Sequence, residues 1–175
     1  NSNIIDKHSF AVDSNATDVG DLTITKRASA GHSSVTHGYN AGSRPTNNTI
    51  DKWPFASDTN ATDVGDLTLS RTYPAGQSST THGYSSGGNS GSYNDRIDKF
   101  TFATDADATD VGNLTVAKHV CGGNSSVTHG YTTSGSRSGI PYTDVIEKFT
   151  FATDADATDV GDLTVAKNAV AGTQK

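Results

Sequence analysis

The sequence has no methionine, one cysteine, one tryptophan, four prolines and, among its 19 acidic residues, a single glutamate, Glu147. Each absence excludes something. A lone Cys121 cannot close a disulfide within the chain, so no disulfide scaffold is available. No apolar run approaches the ~18 residues of a membrane-crossing helix, and membrane insertion is not expected. Lys and Arg total 13 against those 19 acids, a net charge of −6, so a basic nucleic-acid-binding face is not expected either. The near-absence of Glu is also structural information. Asp favours turns, whereas Glu favours helix interiors. No stretch carries a 3.6-residue apolar period. Hydrophobic residues supply only 32%, and Thr, Ser, Gly and Asn fill the gap. That is not the high-charge signature of a disordered chain. The composition points to all-β structure with many turns. With no initiating methionine, the chain is expected to be an excerpt of a longer protein.

What is present is a repeat, the feature to read before any other. Ile5-Asp6-Lys7 returns as Ile50-Asp51-Lys52, Ile97-Asp98-Lys99 and Ile146-Glu147-Lys148. Each start is followed by aromatic residues: Phe10, Trp53 and Phe55, Phe100 and Phe102, Phe149 and Phe151. Ala-Thr-Asp-Val-Gly-(Asp/Asn)-Leu-Thr then follows at 16–23, 61–68, 108–115 and 157–164, and after it a basic residue, Lys26, Arg71, Lys118 or Lys167. Gly-x-Ser-Ser-x-Thr-His-Gly-Tyr closes the unit at 31–39, 76–84 and 123–131. The repeats are 5–49, 50–96, 97–145 and a partial 146–175. All length variation falls in three connectors, 40–49, 85–96 and 132–145, which lengthen by two residues each time. Insertion by twos preserves the facing of a strand pair, so these connectors are expected to be extendable hairpin tips.

Within one unit the alternation predicts a strand at Ile-Asp-Lys-Phe-x-Phe, with Phe100 and Phe102 on one face and Ile97 on the other. Apolar residues on both faces predict a sheet covered on both sides. An Asp-rich turn at 105–110 follows, then a strand over 111–118 with a bulge or a close backbone approach at Gly112, a loop, and a third strand over 125–131. Three or four strands in ~40–50 residues is the size of a propeller blade.

The unit resembles the kelch family. Tyr84-Ser85-Ser86-Gly87-Gly88 is similar to the kelch tyrosine and di-glycine, Leu67 stands at the large apolar position, and Arg71 at the basic one. The phrase from Ile-Asp-Lys to Asp-Leu-Thr also resembles repeat proteins of phage virions, marine phages included. These resemblances imply kelch-like, propeller-type blades on an extracellular or virion surface. About three and a half blades are present, fewer than the four to eight of a closed ring, so an incomplete ring or an open stack is expected.

Candidate sites follow from the pattern. Asp105, Asp107 and Asp110 cluster oxygens on one loop, which is what Ca²⁺ requires, but the glycine and glutamate of an EF-hand loop are missing. The bland reading is a turn closed by Asp side chains. No other cofactor is expected. His37, His82 and His129 recur at one position and would form a ring or row, able to bind a metal or to hydrogen-bond a Thr or a backbone group of the next blade. Repeated carboxylates lack the asymmetry of a catalytic pair, so enzymatic activity is not expected. A kelch-type copper oxidase is the remote alternative. The connectors hold much of what the framework lacks, Arg44, Tyr93, Arg96, Arg137 and Tyr142, with Asn94 as a polar neighbour. Arg and Tyr are favoured at binding hot spots, and variable loops on a rigid scaffold carry function. The expected function is therefore a non-enzymatic structural or adhesive module with loops for a receptor or cell-surface glycan. Its expected partners include copies of itself or other subunits of a larger assembly. The alternative is a purely structural filament or decoration subunit.

Overall fold

The computed structural model describes residues 2–172; the last residues of the fourth repeat, 173–175, lie outside it. Every regular element among the described residues is a strand, and none is a helix that could cross a membrane. The chain opens with a two-stranded antiparallel sheet, β1 (Ser2–Lys7) and β2 (Thr17–Lys26). Three four-stranded antiparallel sheets follow. The first is β3 (Ala30–Ser33), β4 (His37–Ser43), β5 (Asn47–Pro54) and β6 (Thr62–Asp66). The second is β7 (Ala75–Ser78), β8 (His82–Ser86), β9 (Arg96–Thr101) and β10 (Thr109–Asn113). The third is β11 (Gly122–Ser125), β12 (His129–Thr133), β13 (Thr143–Thr150) and β14 (Thr158–Lys167). In each, neighbours in sequence are neighbours in the sheet.

Two sequence expectations change. The stretch 125–131 is not one strand. Ser126–Thr128 is a tight turn between β11 and β12, closed by the Ser126 N–H donating to the His129 carbonyl at 2.9 Å and by the His129 N–H donating to Ser126 Oγ at 3.0 Å. The hydroxyl-rich sequence offers the backbone these side-chain partners in place of a ladder. The strand expected over 111–118 stops at Asn113, just past a register shift between Asp110 and Gly112. That shift is the bulge expected at Gly112.

The sheets stack face to face, with β7 lying against both β3 and β11. One apolar cluster fills each gap between four-stranded sheets. Tyr39, Ile50, Leu67 and Phe100 fill the first gap, with Phe102 packed on them; Tyr84, Ile97, Leu114 and Phe149 fill the second, with Phe151. Phe100 and Ile97 thus serve opposite faces of the same sheet, as their alternation predicts. Tyr39 stacks on Phe102 and Tyr84 on Phe151, with ring centroids 4.7 Å apart in both pairs. The glycine of each His-Gly-Tyr makes room for the aromatic opposite it on the next strand. Gly38 faces Trp53, Gly83 faces Phe100 and Gly130 faces Phe149. A methyl group at Gly83 would sit 2.3 Å from the Phe100 ring.

A repeated polar joint locks each sheet to the next. The repeat's basic residue meets the acid of the following Ile-Asp-Lys: Lys26 with Asp51 at 3.1 Å, Arg71 with Asp98 at 2.9 Å, and Lys118 with Glu147, all fully or almost fully buried. The threonine of Asp/Asn-Leu-Thr donates to the same carboxylate, Thr68 to Asp98 at 2.6 Å, and Thr23 and Thr115 do likewise. Burial pushes Asp98 up and Arg71 down, each opposed by the partner's charge. A slip of one sheet would strand a charge in the interior, so each pair penalises a misregistered stack.

The outer edge has a second joint. Ala61, Ala108 and Ala157 donate backbone N–H bonds of 2.8 Å to the carbonyls of Asp21, Asp66 and Asn113. Asp66 returns its N–H to the Asp107 carboxylate at 2.9 Å. Lys52 reaches Asp105 at 2.8 Å. Gly65, at φ +148°, permits the approach, since a methyl group there would lie 2.5 Å from the Ala106 carbonyl oxygen.

Candidate functional site

The connectors join the second and third strands of each four-stranded sheet, so all three emerge at one edge of the stack. Strand register below them is the same in each sheet, and the added residues are confined to the tips. The first tip turns through Arg44 and Pro45. The second carries bridges from Asn89 to Thr72 and to Tyr93. The third is closed by a bridge from Arg137 to Ile140.

A cleft of about 710 Å³ lies between the second and third tips, lined by Asn89, Ser92, Tyr93, Arg137 and Ile140 among others. A second, of about 480 Å³, lies between the first and second, with Arg44, Tyr73, Asn89 and His119 on its walls. Both have Asn89 and Gly91 in their walls, so the two clefts adjoin along the edge, and the pair is called the groove. Three contacting rings line the two clefts, Tyr73 and His119 in the second and Tyr93 in the first: Tyr73 to His119 at 5.8 Å and His119 to Tyr93 at 4.7 Å. Arg44 and Arg137 have no ion-pair partner among the described residues. Arg137 Nε is buried with no hydrogen-bond partner.

The structure divides the six connector residues. Arg44, Tyr93 and Arg137 line the groove. Asn94 belongs to the framework, accepting from Arg71 Nη1 at 3.2 Å and from the Arg96 N–H at 2.9 Å. Arg96 bonds Asp110 at 3.3 Å and the Thr68 hydroxyl at 3.1 Å. Tyr142 is exposed and lies outside both clefts. Tyr73 and His119 were missed because they sit in the loop after the second strand of each sequence repeat. The available signal was variation among copies: the equivalent residues are Arg27-Ala28, Thr72-Tyr73, His119-Val120 and Asn168-Ala169.

The acidic turn serves the outer joint. Asp105 holds Lys52, Asp107 accepts the Asp66 N–H, and Asp110 accepts the Gly112 N–H at 3.3 Å as well as holding Arg96. No group of three or more His, Cys, Asp or Glu placed to hold a metal occurs among the described residues. Each histidine of the row has its Nδ1 2.8 Å from the hydroxyl of the preceding threonine: His37 with Thr36, His82 with Thr81, His129 with Thr128. Partial burial, aided by the nearby lysine, pulls His37 and His82 down from the ordinary imidazole value.

A different histidine is the most perturbed. His32 is buried between the first and second sheets, and desolvation takes it down to about 4. Its Nδ1 is 3.2 Å from the Gln77 carbonyl and its Nε2 is 3.1 Å from Ser85 Oγ. Gly83-Tyr84-Ser85-Ser86-Gly87 has the Gly-x-Ser-x-Gly spacing of a nucleophile elbow, which requires an exposed serine on a strand-to-helix turn. Here Ser85 lies within β8 and is fully buried, so the pair is an inter-sheet hydrogen bond. Burial likewise pushes the Cys121 thiol up to about 12, which disfavours the nucleophilic thiolate. No family model and no curated protein matches the chain.

Proposed function

We propose that the chain is a non-enzymatic repeat module of an extracellular or virion surface, built from kelch-like, propeller-type blades, that presents its connectors to a cell-surface glycan. The observation that carries this reading is the groove, where rings alternate with amide, hydroxyl and unpaired guanidinium groups. Aromatic faces suit the C–H faces of sugar rings, Asn89 and Ser92 suit their hydroxyls, and Arg44 and Arg137 suit carboxylate- or sulfate-bearing sugars. Face-to-face stacking of four-stranded antiparallel sheets, first strand beside first strand, supports blades of the propeller type. Three such sheets and a two-stranded one are compatible with a reading of about three and a half blades in an incomplete ring or open stack. The exterior location rests on the resemblance of the Ile-Asp-Lys to Asp-Leu-Thr phrase to virion repeats. Similar groove segments at fixed spacing would add weak contacts into avidity. A glycan array probed with the 175-residue chain tests the reading. Binding is expected, with acidic glycans preferred. Tyr93→Ala should abolish it and Tyr142→Ala should leave it intact. No binding, or equal loss in both variants, refutes the assignment. A second reading, a purely structural filament or decoration subunit, is favoured by the buried ion pairs that lock each sheet to the next.

A further inference from the structure

We infer that the groove binds the interior of a linear acidic polysaccharide. One such chain lies along the stack, crosses both clefts and places separate carboxylate or sulfate groups at Arg44 and Arg137. This rests on the glycan reading above and adds to it the class of glycan and the way it is held.

Charge sets the two clefts apart from the rest of the molecule. Acidic residues outnumber Lys and Arg by 19 to 13, yet neither cleft has an acidic side chain in its walls. The framework cations Lys26, Arg71 and Lys118 are buried against carboxylates. Arg44 and Arg137 face the clefts with no ion-pair partner among the described residues. The Arg137 Nε is also buried without a hydrogen-bond acceptor. A buried donor left unpaired costs free energy that an incoming acceptor recovers. Carboxylate and sulfate oxygens are the acceptors that match a guanidinium best.

Two arginines on different tips call for two anions on one ligand. Arg44 belongs to the first tip and Arg137 to the third, with Tyr93 on the tip between them. Sheets packed face to face stand roughly 10 Å apart, so one sugar does not reach from the first tip to the third. Each cleft alone, at about 710 and 480 Å³, has the volume of a small-ligand site. A terminal sugar would fill one cleft and leave the other arginine unanswered. Where the clefts adjoin, Gly91 brings no side chain, and a methyl group there would meet nothing within 4 Å, so a chain can pass between them. Along that path Tyr73, His119 and Tyr93 present ring surfaces, and Thr46, Asn89 and Ser92 present partners for sugar hydroxyls. Single-stranded nucleic acid is the other polyanion that uses rings and cations together. It fits less well. The Tyr73 and His119 planes stand 86° apart, so the rings are not a series of parallel platforms for bases. A phosphate at every nucleotide would also meet only two arginines on a chain of net charge −6.

Titration calorimetry on the 175-residue chain tests this with two series of ligands, each running from disaccharide to octasaccharide. Oligogalacturonates supply carboxylates, and sulfated malto-oligosaccharides supply sulfates. In at least one series affinity should rise about tenfold with length and level off once the chain meets both arginines. Arg44→Ala and Arg137→Ala should each remove most of that gain, so that the octasaccharide binds little better than the disaccharide. Circular dichroism and thermal unfolding check that both variants fold. Sialyllactose, a terminal acidic sugar, and an oligothymidylate should bind more weakly than the octasaccharide. Affinity that does not change with length, sialyllactose or oligothymidylate binding as tightly as the octasaccharide, or either arginine variant keeping the full gain would each overturn the inference. A flat length series in a protein whose array binding is lost in Tyr93→Ala would refute the inference and leave the glycan reading standing. Absence of binding to every glycan would refute both.

Discussion

The joints between sheets and the connector edge lie along the same strands and obey opposite rules. At a joint the sequence repeats, the side chains are buried and every charge has a partner. Arg71, Asp98 and Thr68 close on one another with almost no exposure of the two charged groups. At the edge the sequence varies, the backbone tip lengthens, and Arg44 and Arg137 are left without counter-ions among the described residues. The difference teaches where repetition comes from in this molecule. A residue recurs because its neighbour in the next sheet recurs, and residues free of that constraint are the ones left to vary.

The largest effect should come from breaking a joint. Asp98→Ala removes the one carboxylate ion-paired with Arg71 among the described residues and leaves that buried charge without its counter-ion. A loss of about 3–5 kcal/mol is expected by urea denaturation. Replacing both partners, Arg71→Met with Asp98→Leu, removes the stranded charge together with its mate. The double variant should recover more than half of the loss. If the single variant costs no more than an exposed substitution, the joints do not set register and the comparison fails.

A smaller effect, set by pH, comes from His32. Its folded value of about 4 lies below the ordinary 6.5. Between those values the unfolded chain takes up a proton that the folded chain refuses. Stability is therefore full above pH 6.5, falls as pH drops toward 4, and gains no further loss from this group below that. The window is worth about 3 kcal/mol. Gln77 occupies the same repeat position in the next sheet and donates to the Tyr131 carbonyl and the Thr132 hydroxyl at 3.0 Å. His32→Gln should accordingly fold, and its stability should change less than wild type between pH 6.5 and 4. Parallel curves for the two proteins would show that His32 is not held neutral by the joint.

Much of the framework was legible because it recurs. The two-sided covering of each sheet followed from Ile97 opposite Phe100, the Gly112 bulge from a glycine within a strand pattern, and the hairpin tips from insertions by two. The third strand was misread because Ser-Ser-Val-Thr-His reads as β-prone one residue at a time. Its turn depends on a Ser126 hydroxyl placed to accept from the His129 N–H. The joints were invisible for a different reason. Both halves, Lys or Arg and Asp or Glu, were seen in every repeat, but pairing them requires knowing which sheet follows which. In the groove, Arg44, Tyr93 and Arg137 were found by composition. Asn94 and Arg96 passed the same filter and turned out to serve the framework. Nothing in composition separates an arginine bonded to Asp110 from one bonded to no acid.

The smallest effect tests the edge. If the connectors carry none of the stacking, truncating their exposed side chains should leave stability almost untouched. Tyr142→Ala removes a ring that is 55% exposed and belongs to neither cluster, and Arg44→Ala removes an exposed side chain with no ion-pair partner among the described residues. Each should shift unfolding by no more than about 0.5 kcal/mol. Arg137→Ala should behave similarly or be slightly stabilising, because it deletes a buried Nε that has no hydrogen-bond partner. Thermal denaturation of the three variants beside Asp98→Ala puts both regions on one scale. A large loss in any connector variant would mean that the tips help hold the stack together. The groove would then owe its unpaired arginines to packing and not to a ligand.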